Sequence, residues 1–134
     1  MRTVIKIGSS LLATGDSLDE SRIEALVRDI SEVHSMGNEV IVVSSGAIAA
    51  GMKKLGLRKK PSDIRHKQAA ASVGQSTLMW AYEKSFSLHG KKVAQILLTR
   101  DAFYDRVRYI NAKNTILTLL DYNIIPIINE NDSV

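Results

Sequence analysis

Four short apolar runs constrain this chain more than any other feature: "TVIKIG", "NEVIVVSSG", "KKVAQILLT" and "IIPII", each separated from the next by a stretch with helical spacing. Strands that alternate with helices are joined by crossovers, which predicts parallel strands with helices on both faces. The expected fold class is therefore α/β, a three-layer α/β/α sandwich with a mainly parallel sheet. The unbroken apolar run in "NEVIVV" marks a strand covered on both faces. In such sheets ligands bind where the loops leave the carboxyl ends of the strands.

Between the strands the helical signals are distinct. From about Asp19, Ile23, Leu26, Val27, Ile30 and Val33 recur at helical spacing, and Gly37 stands where a left-handed cap belongs. Ser17 and Glu20 have capping-box spacing, and Asp19 is an equally good N-cap. "SSLLATGD" reads as a loop and "AIAAGMKKLG" as a short helix. Ser62 or Asp63 is placed to cap a long alanine-rich helix whose interior Gly74 implies a close backbone approach or a bend. The last helix runs at least from Tyr109 to Leu120, with Ile110, Ile116, Leu119 and Leu120 on its apolar side. Pro126 cannot donate to a ladder, so its strand is expected at an edge or in an irregular position.

At 134 residues, 45% hydrophobic and 24% charged, the chain is expected to form one globular domain rather than a disordered or low-complexity segment. It has no cysteine, which removes disulfides and thiolate metal sites and fits a reducing compartment. "MRTVIKIGSSLL" carries Lys6 inside its apolar run and is too short for a signal peptide or a membrane span. A cytoplasmic protein is expected. The net charge of +4 and pI of about 9.4 draw attention to "MKKLGLRKK", but no aromatic residues interleave with its lysines and arginine. A solvated helix end fits it better than a nucleic-acid surface. His34, His66 and His89 lie among polar neighbours and read as surface histidines.

Three strand ends are chemically conspicuous. "KIGSS" sets Lys6 two residues before a glycine and two serines, where backbone N–H groups and an ammonium suit an anion. It matches neither of the familiar phosphate-loop patterns, so a tight turn with an exposed lysine remains an equal reading. "SSGAIAAG" turns from strand into helix, leaving donors at Gly46 and Ala47 open to a carboxylate or phosphate. In "NENDSV", a turn after Asn129 would let Asn129 and Asp132 converge. That pair suits an ammonium group, or a metal held through oxygens, or simply an Asx-capped loop.

Taken together and in order, "VIKIGSSLL", "VVSSGAIAAG", "KQAAASVGQ", "LLTRD", "RYINAKNT" and "PIINENDSV" resemble the glutamate 5-kinase branch of the amino-acid kinases. The resemblance implies ATP-dependent phosphorylation of the γ-carboxylate of L-glutamate, the first step of proline biosynthesis, with Mg²⁺ accompanying ATP. It implies that Lys6 is catalytic and meets the ATP phosphates, with Gly8 and Ser9 along the same path. Ser45, Gly46 and Ala47 would hold glutamate, and Asn129 and Asp132 would complete that pocket, Asp132 facing the α-ammonium. No protein metal ligand is implied. Proline as a feedback inhibitor and a homo-oligomer are implied partners, without membrane or nucleic acid. Family members continue past "NENDSV", so residues 1–134 are expected to be the amino-acid-binding N-terminal part of the kinase domain. The ATP-binding C-terminal part is absent from this chain, which is not expected to turn over alone. The alternatives are another amino-acid kinase and a non-catalytic module that binds glutamate or proline.

Overall fold

In chain order the elements are β1 (Arg2–Ile7), α1 (Ser9–Leu12), β2 (Ala13–Thr14), β3 (Ser17–Leu18), α2 (Glu20–Ser35) and β4 (Glu39–Ser44). They continue as α3 (Ala47–Leu55), α4 (Ile64–Ser87), β5 (Val93–Leu98), α5 (Asp101–Tyr104), α6 (Arg106–Asp121) and β6 (Ile125–Glu130). The computed structural model describes residues 1–14 and 17–130. The four long strands form one sheet in the order β1-β4-β6-β5, with every pairing parallel.

Side chains alternate across this sheet and define its two faces. Ile5, Ile7, Val40, Val42, Ile125 and Ile127 turn to one face, where they pack with Ile23, Val27 and Ile30 of α2 and Leu78, Tyr82 and Phe86 of α4. Ile41 turns to the other, where it shares a hollow with Ile116, Leu117 and Leu120 of α6. Helices thus cover both faces, as the alternation of elements predicts. Each fully buried aliphatic side chain contributes about 1.5–3 kcal/mol of transfer free energy, and this inner face is where most of it is collected.

Local chemistry sets the helix ends. Asp19 is the N-cap of α2, accepting from the Ser21 N–H at 3.0 Å, and Asp63 caps α4 through the His66 N–H at 2.8 Å. Gly37 adopts φ +90°, the left-handed conformation that ends α2.

The last helix agrees with its expected minimum of Tyr109 to Leu120: α6 begins at Arg106, because Asp105 caps it through the N–H groups of Val107 and Arg108. The structure departs from the sequence expectations in three places. Residues 9–14 are not a plain loop: α1 is one helical turn anchored by the fully buried Leu12, and β2 pairs antiparallel with β3. Pro126 lies in an inner strand rather than at an edge. Since the Ile125 N–H bonds to Lys92 of the β5 side, the missing donor of Pro126 faces β4, whose pairing with β6 begins only at Ile127. His34 is buried, not on the surface; it continues the inward stripe of α2, while His66 and His89 are exposed. Among the described residues no helix is long and apolar enough to cross a membrane.

Candidate active site

Two parallel strands, β1 and β4, end side by side, with Ile7 opposite Ser44. The chain is held at this point by the Ser45 N–H, which donates to the Ile7 carbonyl at 3.0 Å. From here β1 passes through Gly8 into α1, and β4 passes through Ser45 and Gly46 into α3. Gly46 is the N-cap of α3 at φ +111°, ψ 2°, a conformation that glycine adopts without strain. The helix therefore leaves the strand by a tight left-handed step that points its first N–H groups back over the strand ends.

A hollow of about 290 Å³ opens at this junction, lined by Ser9 and Ser10 of α1, by Ser45, Gly46 and Ala47, and by Lys60. None of the described residues lining it is acidic. Serine hydroxyls, unpaired N–H groups of a helix N-terminus and an ammonium together favour a carboxylate or a phosphate ester. Lys6, one residue before Ile7 on β1, does not line this hollow and by strand alternation lies on the sheet face opposite Ile7; it is exposed and without an ion pair among the described residues. Its ammonium is free to meet an anion. A Cβ on Gly8 would find only the Ser10 Oγ, at 4.0 Å, so the backbone there is open to close approach.

The hollow thus gathers Ser9, Ser45, Gly46 and Ala47; Lys6 and Gly8 precede Ser9 in the chain and are not among its lining residues. Asn129 is not on its wall. It pairs with Ser44 in the neighbouring strand and is 2% exposed; its Nδ2 lies 3.7 Å from the Met79 Sδ, and its Oδ1 has no hydrogen-bond partner. A buried acceptor left in this state costs about 1–3 kcal/mol. The Gln75 Nε2 on α4 is a second buried polar atom without a partner. Asp132 lies outside the described residues.

Beneath the hollow, the Tyr82 and Ser44 hydroxyl oxygens are 2.6 Å apart, and the Ser44 Oγ donates to the Ser45 carbonyl at 3.0 Å. Burial pushes the Tyr82 phenol up to about 12, against the opposing effect of the Ser44 hydrogen bond, so it remains a protonated donor at neutral pH. Sequence reading missed this tyrosine; Lys60, which it placed in a solvated basic cluster, is exposed as expected and also lines the hollow. The signal for Lys60 was its place in the basic cluster that follows the helix leaving this same strand end.

The model of the amino acid kinase family matches residues 1–134. The chain belongs to the amino acid kinase family. Among curated relatives, it is 52% identical over 134 residues to a glutamate 5-kinase of Laribacter hongkongensis, covering 99% of this chain and 36% of that protein. A glutamate 5-kinase of Azoarcus sp. is 49% identical over 134 residues, and one of Geobacter metallireducens is 53% identical over 135, each with the same two shares covered. The chain spans 36% of the length of these relatives. The parallel α/β sheet described above agrees with this membership.

Proposed function

We propose that these strand ends bind L-glutamate and the phosphates of ATP, as the N-terminal, amino-acid-binding part of a glutamate 5-kinase. The product is L-glutamyl 5-phosphate, formed at the start of proline biosynthesis. The observation that carries this reading is the hollow at the N-terminus of α3, lined by serine hydroxyls and Lys60 and, among the described residues, by no acidic side chain. Identity of about one residue in two to proteins named glutamate 5-kinase supports the choice of acceptor.

In the reaction, an oxygen of the γ-carboxylate forms a bond to the γ-phosphorus of ATP as the bond to the ADP oxygen breaks. Such transfer asks for in-line positioning and charge neutralisation rather than a covalent enzyme intermediate. Ser45, with the Gly46 and Ala47 N–H groups, holds the acceptor carboxylate. Lys6 places its charge on the transferring phosphoryl group, and Gly8 and Ser9 line the phosphate path. Asn129 and Asp132 complete the amino-acid side of the site, the free Oδ1 of Asn129 being an acceptor suited to an ammonium. Mg²⁺ bound with ATP would supply neutralisation of phosphate charge; among the described residues there is no group of three carboxylate or imidazole side chains that would hold it independently.

The reading assigns the ATP-binding C-terminal part of the domain to sequence outside this chain. It carries with it a cytoplasmic setting, a homo-oligomer and proline as feedback inhibitor. To test it, the full-length protein is incubated with ATP, Mg²⁺ and hydroxylamine, with L-glutamate, L-aspartate, N-acetylglutamate or carbamate as acceptor. Formation of γ-glutamyl hydroxamate with L-glutamate is expected. Turnover with another acceptor alone would move the chain to a different kinase of the family, and glutamate binding without turnover would make it a binding module.

A further inference from the structure

One buried hydrogen-bond chain next to the hollow has no part in the roles above. Tyr82 is fully buried on α4, and its hydroxyl lies 2.6 Å from the Ser44 Oγ, 38 residues away in sequence. Ser44 has a single hydroxyl proton, and it is directed to the Ser45 carbonyl. Tyr82 must then be the donor to Ser44. The chain runs from the Tyr82 O–H to the Ser44 hydroxyl, and from the Ser44 O–H to the Ser45 carbonyl.

The far end of this chain controls a peptide plane. In a trans peptide the carbonyl and the following N–H point in opposite directions. With its carbonyl drawn back to Ser44, the Ser45–Gly46 peptide turns the Gly46 N–H away from that hydroxyl. Among the described residues this N–H has no backbone or side-chain acceptor, and Gly46 lines the hollow. The other side of Ser45 is held as well, since its N–H bonds to Ile7. The peptide before Ser45 is therefore held by β1 and the peptide after it by Ser44, the second through α4.

We infer that Tyr82 is a positioning residue: acting through Ser44, it orients the Ser45–Gly46 peptide so that the Gly46 N–H donates to the carboxylate of the bound amino acid. This rests on the preceding reading that the hollow takes an amino acid. Tyr82 touches neither substrate nor nucleotide. It sets the aim of a backbone donor, and a backbone donor aimed in advance stabilises an anion without reorganising.

The test uses the full-length protein. Tyr82→Phe keeps the ring and removes the donor; the KM for glutamate is expected to rise about tenfold, the scale of one hydrogen bond to a charged group. Turnover at saturating glutamate and the KM for ATP should each change less than about twofold, because uniform binding of the acceptor is what is lost. Ser44→Ala should give the same split, Ser44→Thr should restore wild-type behaviour, and the double variant Tyr82→Phe/Ser44→Ala should be no worse than either single one. Val27→Ala, in the core of α2, serves as the control: it should lower the melting temperature and leave the glutamate KM alone. The Gly46 amide resonance should move in Tyr82→Phe and not in Val27→Ala. An unchanged glutamate KM in a Tyr82→Phe enzyme that turns over glutamate would overturn the inference. If the wild type shows no glutamate-dependent turnover, the substrate reading falls, and a Gly46 amide unmoved by Tyr82→Phe would then separately overturn the role of the tyrosine.

Discussion

A methyl group on Gly74 would stand 1.8 Å from the carbonyl oxygen of Ala47, the first residue of α3. The relation is reciprocal, because a methyl on Gly51 of α3 would stand 1.7 Å from the carbonyl oxygen of Ala70 on α4. The two helices cross backbone against backbone, and this crossing fixes where α3 begins. Gly74→Ala is expected to destabilise the protein by about 3 kcal/mol or more, since backbone rather than a flexible side chain must give way. Gly8→Ala should cost less than about 1 kcal/mol, as it enters open space at an ordinary φ of −77°. Urea unfolding of both variants measures the contrast; equal stabilities would contradict the close crossing.

Lys6 is exposed, unpaired among the described residues and beside the strand end that bears Gly8 and Ser9. Its charge is wanted on the phosphoryl group in flight, so Lys6→Ala in the full-length protein should lower kcat at least about a hundredfold. Glutamate affinity should stay within about threefold of wild type. Steady-state kinetics paired with calorimetry of glutamate binding measures both. Equal loss of turnover and glutamate binding would move Lys6 to the amino-acid side of the site.

The buried His34 gives a pH dependence with a definite sign. Burial, then the charge of Lys91, lowers its folded pKa below 6.5, opposed by a hydrogen bond with Asn123. Below that value the unfolded chain binds the proton more readily than the folded one, so stability falls as pH falls. The contribution is complete above the unfolded pKa and is lost as pH drops through the folded one. His34→Gln should flatten the decline in the urea midpoint between about pH 7 and pH 5. A decline as steep as that of the wild type would assign it to other groups.

Periodicity made much of this architecture legible. The alternation of four apolar runs with helical segments specified layers and strand direction, and Gly37 and Gly74 announced a left-handed cap and a close helix crossing. The one-turn helix and two-residue strands after β1 were not legible, because four residues carry no period and Leu12 is held by tertiary burial. His34 was legible in principle: Ile23, Val27, Ile30 and His34 share one helical stripe, and all four are buried. At the site, the strand-end motifs pointed to Ser45, Gly46 and Ala47. The partnership of Ser44 with Tyr82 was out of reach, since it joins a strand to a helix 38 residues on and no local spacing encodes it.

The central claim is that a carboxylate of glutamate, held at the start of α3, attacks the γ-phosphorus of ATP. Its most direct test is isotopic. The full-length protein is given ATP, Mg²⁺ and L-glutamate labelled with ¹⁸O in both γ-carboxyl oxygens, and hydroxylamine then cleaves the acyl phosphate at its carbonyl carbon. Mass spectrometry of the released phosphate should find one ¹⁸O per phosphate, carried over as the bridging oxygen. Unlabelled phosphate would mean that water, not the carboxylate, is the acceptor, and would contradict the account.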